Sequence, residues 1–168
     1  MLEKGELRIR CIEEPDLDFV YACSAASVRG DYQNFCFETW ISLVRAFEED
    51  GLWCDKGGIL LIEAHNDAVG LAQITFVREG LARVGLMLLP DSRGGGIGTQ
   101  ALCLLCTYLC DNYPIVRVEA DTDTENIAAH RILDKSGFVY EGTMRRFRYH
   151  HGAYRDHDLY SYLPEEHL

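Results

Sequence analysis

The chain has 168 residues, 48% of them hydrophobic and 26% charged, which is typical of one domain over residues 1–168. Its 16 Lys and Arg against 27 Asp and Glu give a net charge of −11 and disfavour nucleic acid as a partner, because phosphate contacts need clustered cations. No apolar run reaches the roughly 18 residues of a membrane span, and the first residues lack the apolar core of a secretory signal. We therefore expect a cytoplasmic protein without a membrane partner.

Seven cysteines are scattered among apolar neighbours, and an odd number favours reduced thiols over a disulfide framework. Cys103, Cys106 and Cys110 follow helical spacing, which leaves a metal site as an alternative. Their segment is apolar throughout and offers no fourth ligand, so we expect core thiols and no metal.

The first half of the chain alternates apolar and polar residues in short runs separated by Pro, Gly and Asn. Pro15 suits the first turn of a helix, and the turns at 65–67 and 79–80 are short enough to join antiparallel strands. The predicted elements are a strand over 7–11, helices over 15–27 and 34–49, and strands over 59–64, 68–77 and 81–89.

The second half begins with a segment that is apolar nearly all round, which indicates a helix buried against a sheet. A later amphipathic helix ends at Gly137, a residue that commonly follows a helix C-terminus. The predicted elements are helices over 99–110 and 126–136 and strands over 116–121, 138–141, 144–150 and 158–163. This order predicts an α+β fold, a mixed sheet with helices on it.

The turn from Arg93 to Gly98 carries four glycines in five positions between a strand and the buried helix. Glycine lets backbone N–H groups approach an anion, and a helix N-terminus adds unpaired donors and partial positive charge. These features favour a phosphate-binding turn over a merely flexible one. A P-loop would need Lys-Ser/Thr where Thr99-Gln100 stand, and a dinucleotide-binding turn would need a third glycine at Thr99.

The same turn resembles the acetyl-CoA signature of the GCN5-related N-acetyltransferase (GNAT) superfamily, Arg/Gln-x-x-Gly-x-Gly/Ala, as Arg93-x-x-Gly96-x-Gly98. The segment 126–138 is similar to the family's Asn-x-x-Ala…Lys-x-Gly-Phe helix. The opening LRIRCIEEPDLD and the tail from Gly152 into LYSYL resemble the subgroup that includes ribosomal-protein N-terminal alanine acetyltransferases. The resemblance covers almost the whole chain in the right order.

The resemblance implies a mostly antiparallel sheet in which two strands splay apart and hold acetyl-CoA, the co-substrate. The pantetheine would extend the sheet as an added strand, a backbone N–H near Leu88 would polarise the thioester carbonyl, and Asn126 would bind pantetheine or an ordered water. The residues so implied to bind acetyl-CoA are Leu86, Leu88, Arg93, Gly94, Gly95, Gly96, Ile97, Gly98, Thr99 and Asn126.

The reaction implied is direct attack of a primary amine, of a small molecule or of a protein N-terminus, on the acetyl thioester. Family members often place a Tyr or a Ser on the Asn-x-x-Ala helix to protonate the thiolate, but Leu133 and Ala129 stand at those positions. The proton would then come from water held by Asn126 or from Tyr154. The alternative is a non-catalytic acyl-CoA-binding module.

Candidates for the base and for the acceptor site remain several. Glu119, Asp121, His65, Glu38, His150 and His151 could each accept a proton, and each could equally be a solvated surface residue. The aromatic segment that holds Phe35, Glu38 and Trp40 is where the resemblance places the acceptor; its other aromatic residues are Tyr32, Phe37 and Trp53. Arg145, Arg146 and Arg148, with His150 and His151, form either a solvated hairpin face or a basic patch that contacts the 3′-phosphate of coenzyme A or an acidic substrate. A homodimer through the apolar C-terminal strands is left open.

Overall fold

The structure, a computed structural model, describes residues 1–32 and 39–167. The strands in these ranges are β1 (Leu2–Lys4), β2 (Leu7–Cys11), β3 (Trp53–Cys54), β4 (Gly57–Ala64), β5 (Asp67–Arg78), β6 (Leu81–Leu88), β7 (Arg117–Asp123), β8 (Val139–His150) and β9 (Ala153–Tyr162). The helices are α1 (Leu17–Cys23), α2 (Ala26–Arg29), α3 (Trp40–Asp50), α4 (Ile97–Asn112) and α5 (Ile127–Lys135). Single 3₁₀ turns lie at Glu14–Asp16, Pro90–Ser92 and Pro164–His167.

One sheet contains all nine of these strands, in the order β1-β2-β4-β5-β6-β7-β9-β8, with β3 paired to β4. Every pair is antiparallel except β6 with β7. Helices accompany the mixed sheet, so the predicted α+β class is confirmed. None of the described helices combines the length and apolarity that crossing a bilayer requires.

Each face of the sheet carries a hydrophobic cluster. The larger cluster packs α4 against β4 to β7, with Leu105 and Leu109 of the helix fully buried. The predicted buried helix is therefore confirmed, and Cys106, 1% exposed, belongs to its core face. The smaller cluster packs α1 and α3 on the opposite face around Leu61 of β4.

Several predicted elements differ in extent. The helix predicted over 15–27 is a 3₁₀ turn followed by two short helices, and α3 begins at Trp40, where the Thr39 hydroxyl accepts a hydrogen bond from the Ser42 N–H at 3.1 Å. The first residues of the helix predicted over 34–49 lie outside the described part of the chain. β1 and β3 were missed, because strands of three and two residues show no alternation.

The C-terminal hairpin is longer than predicted. β8 is one strand where two were expected, because register irregularities at Gly142 and after Met144 interrupt its alternation without ending its pairing. β9 begins at Ala153, before the predicted range.

Candidate functional site

The sheet divides between β6 and β7. These parallel strands pair only over Leu81–Arg83 and Arg117–Glu119. Beyond that, 84–88 remains paired with β5 alone, and 120–123 remains paired with β9 alone. The predicted splay is present, so two strand edges are left unpaired with each other beyond Arg83 and Glu119, with a gap between them.

The register of β6 shows which backbone groups line the gap. The Leu89 N–H donates to the Val69 carbonyl at 2.9 Å. In an antiparallel pair every second residue bonds to the same neighbour, so every second residue of β6, counted back from Leu89, directs its backbone N–H and C=O groups to β5. The intervening residues, Leu86 and Leu88 among them, direct their N–H and C=O groups toward β7. Both residues therefore lie where the resemblance places the pantetheine, and the Leu88 N–H points toward the gap.

The glycine-rich turn follows β6, the strand on one side of this gap, and leads into α4. Gly94 and Gly96 have φ values of +83° and +84°, a region that strains any other residue, and Gly96 is the N-cap of α4. The first helical bond runs from the Gln100 N–H to the Gly96 carbonyl. The six N–H groups from Gly94 to Thr99 have no hydrogen-bond partner among the described residues.

The Arg93 side chain connects the turn to neighbouring elements by hydrogen bonds. Its Nε donates to the Leu88 carbonyl at 3.0 Å and a terminal guanidinium nitrogen donates to the Val28 carbonyl at 2.8 Å. Its backbone N–H donates to the Pro90 carbonyl, so this amide of the predicted cradle is already used. The side chain therefore fixes the turn to β6 and α2.

The space around the turn fits an anionic ligand. A Cβ added at Gly94 or Gly95 would meet no atom within 4 Å, whereas one at Gly98 would lie 2.9 Å from Ile132 Cδ1 and 3.5 Å from Leu88 Cδ1. Gly98 thus lets α4 pack closely against α5 and β6, while the earlier glycines leave the donors accessible. Unpaired N–H groups at a helix N-terminus form a phosphate-binding site, so the chain's residues fit the diphosphate of acetyl-CoA.

Asn126 begins α5 beside β7. Its Oδ1 accepts a hydrogen bond from the Ala129 N–H at 3.2 Å and caps the helix, and its Nδ2 has no partner in the described ranges. Leu133, at the position where the family often has Tyr, is 5% exposed in the larger core. The one predicted site residue on this helix therefore has a free donor but supplies no acid.

Glu119 lies where β6 and β7 separate and is 8% exposed. Its Oε1 accepts from Arg117 Nε at 2.9 Å, and its Oε2 accepts from Arg83 Nε at 3.1 Å. Both oxygens are held in ion pairs, which argues against this carboxylate as the proton acceptor.

The other predicted residues are dispersed. Tyr154, 56% exposed, packs against Tyr149 near the β8–β9 turn, and Trp40, 41% exposed, packs edge to face on Tyr21 of α1. The turn residue His65 pairs with an exposed glutamate. Phe35, Phe37 and Glu38 lie outside the described residues.

Sequence reasoning missed His157. This β9 residue is 3% exposed, and its Nδ1 lies 2.9 Å from Asp121 Oδ2. Arg148 donates to the same oxygen at 3.2 Å, and the Arg146 side chain lies over the Tyr154 ring, so these two arginines of the hairpin have different partners. No local spacing signals the site, because its three members come from three strands.

A family model described as acetyltransferase (GNAT) domain matches residues 6–139. The chain belongs to the GNAT acetyltransferase family. It is accordingly an acetyl-CoA-dependent N-acetyltransferase, as the resemblance implied.

Similar proteins span nearly the whole chain. An uncharacterised N-acetyltransferase of Bacillus subtilis, YoaA, is 26% identical over 176 residues, covering 99% of this chain and 98% of the relative. The structure of a spermidine N-acetyltransferase from Vibrio cholerae in complex with CoA and spermine superposes with a TM-score of 0.87 at 18% identity, covering 98% of this chain and 99% of that one. An acetyltransferase from Salmonella typhimurium that modifies the N-terminal serine of ribosomal protein L7/L12 gives 0.78 at 18% identity, covering 95% and 96%. Likeness at these identities shows the shared fold.

Proposed function

We propose that this GNAT protein transfers the acetyl group of acetyl-CoA to a primary amine by direct attack of the amine on the thioester. The observation that carries the proposal is the run of six N–H groups without partners from Gly94 to Thr99, beside the gap between β6 and β7. The diphosphate of acetyl-CoA can accept hydrogen bonds from these N–H groups, and its extended arm, which carries amides, can lie in the gap.

Each part of the site has a separate task. The N–H groups of residues 94–99 hold the diphosphate, and the edge of β6 from Leu86 to Leu88 lies along the arm, as a neighbouring strand would. The Leu88 N–H donates to the thioester oxygen and stabilises the negative charge that develops there. Asn126 uses its remaining amide donor, Nδ2, on the arm or on a water. Acetyl-CoA supplies an activated acyl group when bound.

The acceptor is a primary amine that is cationic at neutral pH. The net charge of −11 favours cationic over anionic acceptors by raising their local concentration. The structural neighbours provide the two acceptor types to compare, because one is a spermidine acetyltransferase and another modifies a protein N-terminus. We therefore propose a small polyamine-like molecule or an exposed protein N-terminus.

The test measures acetyl-CoA binding by calorimetry and thiol release with spermidine and with short peptides that begin with Ser or Ala. The same peptides with blocked N-termini are the matched controls. We expect binding, and release only with free amines. Binding without release from any amine would instead identify the acyl-CoA-binding module that the buried Leu133 leaves as the alternative. Absence of binding would refute both.

A further inference from the structure

A polar group lies on the sheet face opposite α4 and α5. Val118 and Ala120 of β7 belong to the core under α4, so strand alternation directs Glu119 and Asp121 to the other face. The hydrogen bond from His157 Nδ1 to Asp121 Oδ2 places the imidazole on that face too. This is the side of the sheet away from the helix whose N-terminus holds the proposed diphosphate site.

The register places this group at the point where the strands separate. Pairing of β6 with β7 ends at Arg83 and Glu119, and Asp121 is the next residue of β7 on the same face. Continued pairing would place Asp121 opposite Gly85. Gly85 is exposed, and a Cβ there would meet no atom within 4 Å, so the face is open beside the gap.

A bulge in β8 completes the group. Met144 pairs with His157 and Arg148 pairs with Arg155, so β8 carries two extra residues between these pairs. Arg146, in the bulge, has a φ of +51°, and its N–H donates to Asp156 Oδ1 at 2.6 Å. A non-glycine residue in this region costs free energy that the surrounding contacts must offset.

The bulge determines what surrounds the imidazole. It places the Phe147 ring with its centroid 5.5 Å from that of His157, and it brings Arg148 to the Asp121 carboxylate. Among the described residues, contact or sheet register places four charged groups beside His157: Asp121 and Asp123 of β7, of which Asp123 pairs with His157 in the sheet, Arg148 of β8, and Arg155, two residues earlier on β9. The imidazole is therefore packed on one side and oriented through one nitrogen.

We propose that His157 is the base that deprotonates the acceptor amine and that Asp121 positions it; this rests on the acetyl transfer proposed above. A carboxylate only accepts hydrogen bonds, so Nδ1 of the neutral ring donates to Asp121 and Nε2 carries the lone pair. Nε2 has no hydrogen-bond partner among the described residues, and the His157 side chain keeps 4% of its surface exposed.

The ammonium of the acceptor gives one proton to His157 Nε2, and the freed lone pair forms the N–C bond with the acetyl carbon. The C–S bond breaks, and the second nitrogen proton moves to the departing sulfur through solvent. The products are the acetylated amine, CoA thiol and a protonated His157, which returns its proton to water.

The experiment compares H157Q and D121N with wild type and with D67N, which changes an exposed aspartate at the start of β5 and is the matched control. Measurements are CoA affinity, melting temperature and the pH dependence of kcat/KM for a cationic amine. We expect H157Q to lose on the order of 10²–10⁴-fold in kcat/KM near neutral pH, with CoA affinity unchanged. The remaining kcat/KM of H157Q is proportional to the neutral fraction of the amine, so it rises about tenfold per pH unit below the amine pKa. D121N changes kcat/KM in the same direction by a smaller factor, and D67N changes neither.

Wild-type kcat/KM in H157Q would overturn the inference. So would a loss by the same factor at every pH, because that is the result expected from a purely structural ion pair. If wild type binds acetyl-CoA but acetylates no amine, the proposed function itself fails and this inference fails with it.

Discussion

Gly95 provides a test of the diphosphate cradle that is separate from folding. Gly94 and Gly96 have positive φ values, so any substitution there strains the backbone whether or not a ligand binds. Gly95 lies outside that region, and a Cβ on it would meet no protein atom within 4 Å. Gly95→Val is therefore expected to fold normally, with a change in unfolding free energy within about 0.5 kcal/mol.

The expected effect on binding follows from the donors at stake. A valine side chain in the cradle holds the diphosphate away from at least one of the six N–H groups between Gly94 and Thr99. A hydrogen bond to a charged group contributes about 1.5–3 kcal/mol, so CoA affinity falls on the order of 10- to 100-fold.

Calorimetric titration with CoA and with S-acetylpantetheine, which lacks the diphosphate, is the assay. Wild type is expected to bind CoA more tightly, and Gly95→Val is expected to lose most of that difference while its affinity for S-acetylpantetheine stays unchanged. Equal CoA affinity in the variant and in wild type, with both folded, would refute the assignment of these N–H groups to the diphosphate.

Side-chain contacts outside the cradle also have measurable consequences for binding, stability and reactivity. Arg93→Ala removes the hydrogen bonds to the Leu88 and Val28 carbonyls, so both CoA affinity and thermal stability should fall, stability by about 1–2 kcal/mol in denaturant titrations. The hydrogen bond from Arg10 holds the pKa of Asp16 below its ordinary value. The pair therefore stabilises the fold fully at a pH above the ordinary Asp pKa, and this stabilisation is lost as the pH falls through the lower pKa of the folded state. D16N should lower the free energy of unfolding by about 1 kcal/mol at pH 7 and weaken its decline at acid pH. Burial raises the pKa of the Cys23 thiol to about 11, so alkylation at pH 8 followed by mass spectrometry should label exposed Cys54 long before Cys23.

The features that depend on consecutive residues could be predicted from the sequence. The all-round apolar segment predicted buried α4, and the glycine-rich turn predicted unpaired N–H groups at its start, because both depend on consecutive residues. The splay of β6 from β7 came from the family resemblance. No periodicity shows that parallel pairing stops at Glu119, since this depends on how β7 is held by β9.

His157 shows why part of the site could not be predicted. Asp121, its hydrogen-bond partner, is 36 residues away in the chain, and the Arg148 that shares this carboxylate arrives only through the bulge in β8. The sequence named both Glu119 and Asp121 of this strand face among several candidate bases, and the structure shows the two Glu119 oxygens already paired with arginines from β6 and β7. Alternation places a side chain on a face, and only tertiary contacts show whether its charge is already compensated.

The split sheet has a consequence for the lifetime of the protein in a cell. A ligand that bonds to the β6 edge across the gap supplies contacts that the separated strands do not give each other, and a ligand that binds only the native state lowers the unfolded population by mass action. Degradation that proceeds through transiently opened molecules then slows as that ligand accumulates. The steady-state amount of this protein should therefore rise and fall with the supply of its acyl donor, even at constant synthesis.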